Sequence, residues 1–174
     1  LAYSSVSQMG YIIFGVATGQ LLGVSGAMFQ YVSHGTGKAI LFMSAGAIIL
    51  QAQGLRSIGR MGGLARRLPV TALCAMIGFL AILGFPSTNG FQSEWMIFAG
   101  AFWGALQQGA MERVALSAIA IISTGLTAGY SLWAMRRVFF GPLPDGLREV
   151  KEAPATILAP LLFLAFLTVL LGVY

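Results

Sequence analysis

Long apolar runs, separated by short gaps that hold nearly all the charge, constrain this chain more than any other feature. They fall at residues 1–22, 24–50, 68–106, 114–135 and 154–174. A helix needs about 20 apolar residues to cross a ~30 Å hydrocarbon core, so four of the runs have the length of a single crossing. Charged residues are 9% of the chain, where a soluble domain has ~25%. Mean hydropathy is +0.84. So little charge cannot cover the surface of a soluble globule, which argues against a soluble enzyme or a disordered chain. The net charge of +5 does not point to nucleic acid. Most basic residues sit in the gaps between apolar runs, where membrane proteins keep them. The expectation is one all-α integral membrane domain over residues 1–174.

One Cys and one His rule out a disulfide framework and leave too few soft ligands for an all-Cys/His zinc or iron–sulfur site. No metal or cofactor is expected on this chain, and Cys74 is read as a small packing residue. The sequence opens on Leu1 inside an apolar stretch and ends on Tyr174 at the edge of another. No signal peptide is visible, and the chain reads as part of a longer one.

The third run is too long for one straight helix, at roughly 58 Å. Its middle, residues 84–90, reads Gly-Phe-Pro-Ser-Thr-Asn-Gly. Proline removes a backbone donor and disfavours helix in the residue before it, and the glycines and Asn89 permit turns. Either two short spans meet at a turn, or one span is built from two half-helices. Loop charge favours the single broken span. Arg56, Arg60, Arg66 and Arg67 lie in the 51–67 gap, and Arg136, Arg137, Arg148 and Lys151 in the 136–153 gap. One crossing puts both basic loops on the cytoplasmic side and leaves the 19–26 and 107–113 turns outside. Unwound backbone at membrane depth is tolerated where protein or water satisfies it, and in transporters it marks the substrate or ion site. Pro160, alone in the fifth run, is read as an ordinary kink.

Nine of the ten basic residues lie in gaps or at helix ends; the exception is Lys38, near the middle of the second run. His34 and Gln30 precede it by four and eight residues, so the three share one helical face. Gly35 and Gly37 leave the adjoining surface uncrowded. A lysine at bilayer centre costs ~2.5–3.5 kcal/mol on insertion scales, too much for a residue without a task. A proton or ion relay is the reading preferred over a snorkelling side chain. Glu94, just after the break, is the acid at comparable depth, and it also suits the N-terminus of the second half-helix. Burial opposes the charged form of both groups, as reversible proton exchange requires. Residues 35–38 (Gly-Thr-Gly-Lys) resemble the end of a P-loop, but Ala39 replaces the magnesium-binding hydroxyl and Val32 the first glycine. Nucleotide binding is rejected.

In these residues the chain resembles the antiporter-like subunits of respiratory complex I, most closely the M type. The likeness is carried by residues 1–11 (Leu-Ala-Tyr-Ser-Ser-Val-Ser-Gln-Met-Gly-Tyr) and 33–42 (Ser-His-Gly-Thr-Gly-Lys-Ala-Ile-Leu-Phe). It continues through 61–64 (Met-Gly-Gly-Leu), 84–98 (Gly-Phe-Pro-Ser-Thr-Asn-Gly-Phe-Gln-Ser-Glu-Trp-Met-Ile-Phe) and 136–141 (Arg-Arg-Val-Phe-Phe-Gly). Cation/proton antiporter and membrane-hydrogenase subunits share these motifs. The resemblance implies the C-terminal part of a roughly fourteen-helix subunit, with its twelfth helix broken. It places proton transfer on His34, Lys38 and Glu94, supported by Gln30, Thr36, Pro86, Ser87, Thr88 and Asn89. Glu94 matches the M type, where L-type relatives carry Lys. Gln30 stands where L-type relatives often have a second histidine. The implied activity is proton translocation in a prokaryotic plasma membrane or an organelle inner membrane. Electron transfer from NADH or a related donor to quinone in partner membrane subunits would drive it. Alternatives are a Mrp-type sodium/proton antiporter subunit and a membrane anchor of a hydrogenase.

Overall fold

The computed structural model describes residues 2–173, and residues 1 and 174 of the outer runs lie outside them. Six α-helices form: α1 Ala2–Ala17, α2 Leu21–Gln51, α3 Pro69–Ile82, α4 Asn89–Gln107, α5 Met111–Phe139 and α6 Ala155–Val173. Single 3-10 turns at Ile58–Arg60, Leu64–Arg66 and Asp145–Leu147 lie in the two longer connections. Among the described residues there is no strand. By length and composition, α5 and α6 are each apolar enough to cross a membrane. The interior-facing polar side chains of α2 and α4 lower the hydropathy of those two helices.

The helix ends differ from the apolar runs for identifiable reasons. The expected 19–26 turn shrinks to the stretch between Ala17 and Leu21, because Gly23 and Gly26 stay helical. A Cβ on Gly26 would stand 2.7 Å from Ile97 N and Met96 Cβ of α4. These glycines permit close packing rather than a turn. The turn itself is made by Thr18, whose Oγ1 donates to Gly15 O at 2.7 Å, and by Gly19 at φ +63°. The fourth run lengthens to Met111–Phe139, since charged Arg136 and Arg137 ride on the last turn of α5. Cations there complement the helix dipole.

α2 is the central element, with α1, α3, α4 and α6 all packed on it. Contacts along α2 give the direction of its neighbours. Gly37 faces Ala81 and Ile82, and Gly78 faces Ile40 and Leu41, so α3 runs antiparallel beside the C-terminal half of α2. Gly26 faces Ile97, Gly23 faces Gly100 and Gln20 faces Gly104, so α4 continues in the same direction beside the N-terminal half. The two helices lie end to end along α2, and the non-helical residues 83–88 fall beside its middle.

The arginine-bearing connections meet at one end. Gly63 N donates to Phe140 O at 3.2 Å, and a Cβ on Gly62 would strike Pro142 O. That approach explains the paired glycines of the 61–64 motif. Ile48, Leu64, Leu68, Ala72, Val138, Phe139 and Leu147 form a core beneath the loops. Glu152 caps α3 there: its carboxylate accepts from Val70 N at 2.7 Å and from Thr71 Oγ1 at 2.6 Å. An anion at a helix N-terminus is favoured by the exposed N–H groups and the dipole. Cys74 is fully buried between Ile40, Leu161 and Ala165.

Candidate functional site

The stretch between α3 and α4 ends one helix and starts the next, each with its own chemistry. Gly84 takes φ +69°, Gly84 N bonds Ala81 O at 3.3 Å, and Phe85 N bonds Leu80 O at 2.9 Å. This is a Schellman ending, which needs a residue without Cβ strain at that position. Thr88 then caps α4, accepting from Phe91 N at 3.5 Å and donating to Phe85 O at 2.7 Å. Gly90 comes so close to α3 that any Cβ would run into Ala81 O. Ile82 O, released at the end of α3, is met from outside. Gln8 of α1 donates its side-chain amide to it at 3.1 Å.

Gln8 is the centre of a buried polar line. The same amide nitrogen lies 3.4 Å from Glu94 Oε1. Its carbonyl accepts from Gln30 Nε2, and Gln30 Oε1 in turn accepts from Ser93 Oγ. Glu94 leans back toward the break, as side chains on a helix lean toward its N-terminus. Its carboxylate occupies the place that a Gly84 side chain would take. One helical turn further along α2 stands His34, and one more brings Lys38, whose Nζ donates to Ser4 Oγ at 2.5 Å. Nζ also sits 6.0 Å from the centre of the Phe42 ring, a cation–π distance. Gln30 (2% exposed), His34 (8%), Lys38 (6%) and Glu94 (6%) are thus four buried groups of different chemistry carried by α2 and α4.

The supporting residues divide in two. Asn89 is fully buried and donates to Thr36 Oγ1 at 2.9 Å, which ties the start of α4 to the middle of α2. Thr88 is buried as the cap just described. Pro86 and Ser87 are exposed; they shape the turn, with Ser87 at φ +73°. His34 Nδ1 and Asn89 Oδ1 are buried with no hydrogen-bond partner among the described residues. Such atoms are costly unless a proton or a water engages them.

Sequence reasoning assigned no role to Ser4 or Gln8. The signal was present: Ser4, Gln8, Tyr11 and Gly15 recur at helical spacing in an apolar run, and all four are buried. Tyr11 extends that face, reaching Ser123 Oγ of α5 at 3.0 Å and the Phe98 ring edge-on at 5.6 Å.

Residues 1–127 match the family described as NADH:quinone oxidoreductase/Mrp antiporter, TM. The chain belongs to this family. It is 40% identical over 172 residues to the F(420)H(2) dehydrogenase subunit M of Methanosarcina mazei, covering 99% of this chain and 33% of the relative. It is 37% identical to the NADH-quinone oxidoreductase subunit M of Rhodobacter capsulatus, over 100% of this chain and 32% of the relative. Among solved structures it superposes on a chain of the membrane-bound sulfane sulfur reductase, an archaeal respiratory membrane complex. The TM-score is 0.88 at 32% identity, over 99% of this chain and 27% of that one. The chain spans about a third of the length of the curated relatives it matches. It is therefore an all-helical membrane protein of the antiporter-like family, and the expected relation to complex I-type subunits holds.

Proposed function

We propose that the protein is a proton-translocating membrane subunit of a complex I-type oxidoreductase, and that Lys38, His34 and Glu94 are its titrating groups. The observation that carries this reading is the buried line from Glu94 through Gln8 and Gln30 to the His34–Lys38 face, set against the non-helical residues 83–88. A carboxyl, an imidazole and an amine in succession can each take up and release a proton. Gln8 and Gln30 do not titrate; their amides hold the donors and acceptors in register. His34, one turn from both Gln30 and Lys38, bridges the two ends of the line with its buried Nδ1 open to a proton.

In this reading the chain is multi-pass and crosses five times, with α3 and α4 forming one discontinuous crossing. Their end-to-end course along α2 supports this, as does the meeting of both arginine-bearing loops at one end. That end is cytoplasmic by its charge. Glu94 then lies on the outer side of the break as the terminal exchange site. The membrane is a prokaryotic plasma membrane or an organelle inner membrane. The chain binds no redox cofactor, and electron transfer from NADH or a related donor to quinone occurs in partner membrane subunits. The relatives' names differ in the donor, F(420)H(2) in one and NADH in another, which fits a subunit that handles protons and leaves the donor to its partners.

The test is Lys38→Arg and Glu94→Gln in the full-length protein within its complex, with proton translocation and donor oxidation measured together in vesicles. Guanidinium keeps the charge but does not release its proton, and the amide keeps the shape of Glu94 without titrating. Both variants should assemble and lose translocation. Wild-type proton yield per electron in either would remove that residue from the path. The family also includes Mrp antiporters, so the same vesicles should be energised by a sodium gradient. Translocation driven by that gradient and not by a donor would move the protein to the antiporter class.

A further inference from the structure

A wide cavity of about 1210 Å³ opens at the arginine-bearing end, between the 52–62 loop and the last turn of α5. Arg56, Arg60, Arg136 and Arg137 line it, and none of its lining residues is acidic. All four arginines are exposed, so their guanidinium groups are reachable. The nearest acid in sequence to the lining, Asp145, is already bonded to Arg148 at 2.8 Å. Arg136 and Arg137 have a local reason to be there, since they complement the C-terminal dipole of α5. Arg56 and Arg60 answer to the charge bias of the 51–67 loop, which asks for cations on that side of the membrane but not for their place beside the first pair. They come from another segment, and bringing them against the first pair concentrates like charge that an anion would offset.

The surface below the cavity says which anion. Trp133 lines the cavity one turn before Arg137 and is exposed. Ile122, Leu126 and Tyr130 continue from it down α5 at helical spacing, all exposed. The stripe from Ile122 to Arg137 is about 22 Å long, more than the ~15 Å of one hydrocarbon leaflet. Cations, an interfacial tryptophan and an apolar track in that order reproduce the order of a phospholipid: phosphate, glycerol, acyl chain. A free phosphate would use only the first of these.

We propose that this cavity binds an anionic phospholipid, its phosphate held by Arg56, Arg60, Arg136 and Arg137 and an acyl chain laid along Trp133, Tyr130, Leu126 and Ile122. Planar guanidinium forks suit phosphate oxygens bidentately, and four cations without an acid among the lining residues disfavour a zwitterionic headgroup, which brings a cation of its own. The assignment does not depend on the proton-transfer reading above, because none of these residues belongs to the buried polar line.

The test uses the full-length protein purified in a neutral detergent. Phosphatidylglycerol, phosphatidylcholine and inorganic phosphate are titrated separately, with native mass spectrometry and thermal stability as readouts. Phosphatidylglycerol should remain bound and raise the melting temperature, with phosphatidylcholine and inorganic phosphate near baseline. Arg60→Gln with Arg137→Gln should weaken retention about tenfold. Arg60→Lys with Arg137→Lys keeps the positive count, and so the insertion signal, and should weaken it less. Trp133→Ala should weaken the long-chain lipid and spare a short-chain analogue. Equal retention of phosphatidylcholine would overturn the headgroup assignment. Full competition by inorganic phosphate would make this a soluble-anion site, and wild-type retention in both arginine pairs would place the lipid elsewhere.

Discussion

Gln8 illustrates how one uncharged side chain can organise a site of charged ones. Its amide group fills three needs at once: the freed carbonyl of Ile82, the carboxylate of Glu94 and the amide of Gln30. Gln8→Leu keeps the size but leaves buried polar groups without partners, at about 1–3 kcal/mol for each such group. The expected outcome is a lowered melting temperature and slowed proton transfer with assembly retained. Gln8→Glu restores the acceptor for Gln30 but sets a second carboxyl against Glu94 and Ile82 O, so it should lower the melting temperature at least as far as the Leu variant. Unchanged transfer in the Leu variant would make Gln8 a packing residue. At this scale the sequence was legible where a side chain was anomalous for its depth. Lys38 and Glu94 stand out in apolar runs because charge there is expensive. Gln8 and Ser4 do not, because a neutral polar group within a run costs little until its neighbours are known.

Among the helices, the break between α3 and α4 is set by two glycines with different tasks. Gly84 supplies a left-handed backbone and space for the Glu94 carboxylate, and Gly90 lets α4 start against the end of α3. Gly90→Ala should therefore reduce the yield of folded protein sharply, since backbone and not a movable side chain occupies the space. Gly125, inside α5, meets nothing within 4 Å. Gly125→Ala should stabilise by up to about 1 kcal/mol, the ordinary helix-propensity difference. Thermal denaturation of the pair separates the two cases. At the other end of α3, Glu152→Ala removes the cap on Val70 and Thr71 and should cost about 0.5–2 kcal/mol. The break could be placed from its Gly-Phe-Pro-Ser-Thr-Asn-Gly run, because proline and glycine act on their own backbone. The boundary at residues 19–26 could not, because Gly23 and Gly26 look like turn residues until α4 is packed on them.

For the whole molecule, the orientation proposed from loop charge has a direct check. A cysteine probe at Gln108, exposed beside the α4–α5 turn, should be labelled from outside the cell. One at Ser57, exposed in the arginine loop, should be labelled only after permeabilisation. The reverse pattern would invert the proton path. The helical class and membrane setting were legible because they depend on totals of apolar and charged residues. Which helices lie side by side was not, since that depends on pairs of positions far apart in the chain. The glycine seam away from the arginine loops has a mechanical consequence. There Gly15 faces Gly23 and Ala27, and Gly23 faces Gly100, so α1, α2 and α4 meet backbone to backbone. Only short side-chain ends such as Ala27 Cβ lie between them, which leaves little room for a tilt or a slide. The moving parts of the proposed relay would then be torsions, the rotation of amides and of the Lys38 stem inside a stiff frame. A device built like this throws switches without shifting its walls, so cross-linking α1 to α4 near Gly15 should leave proton transfer running.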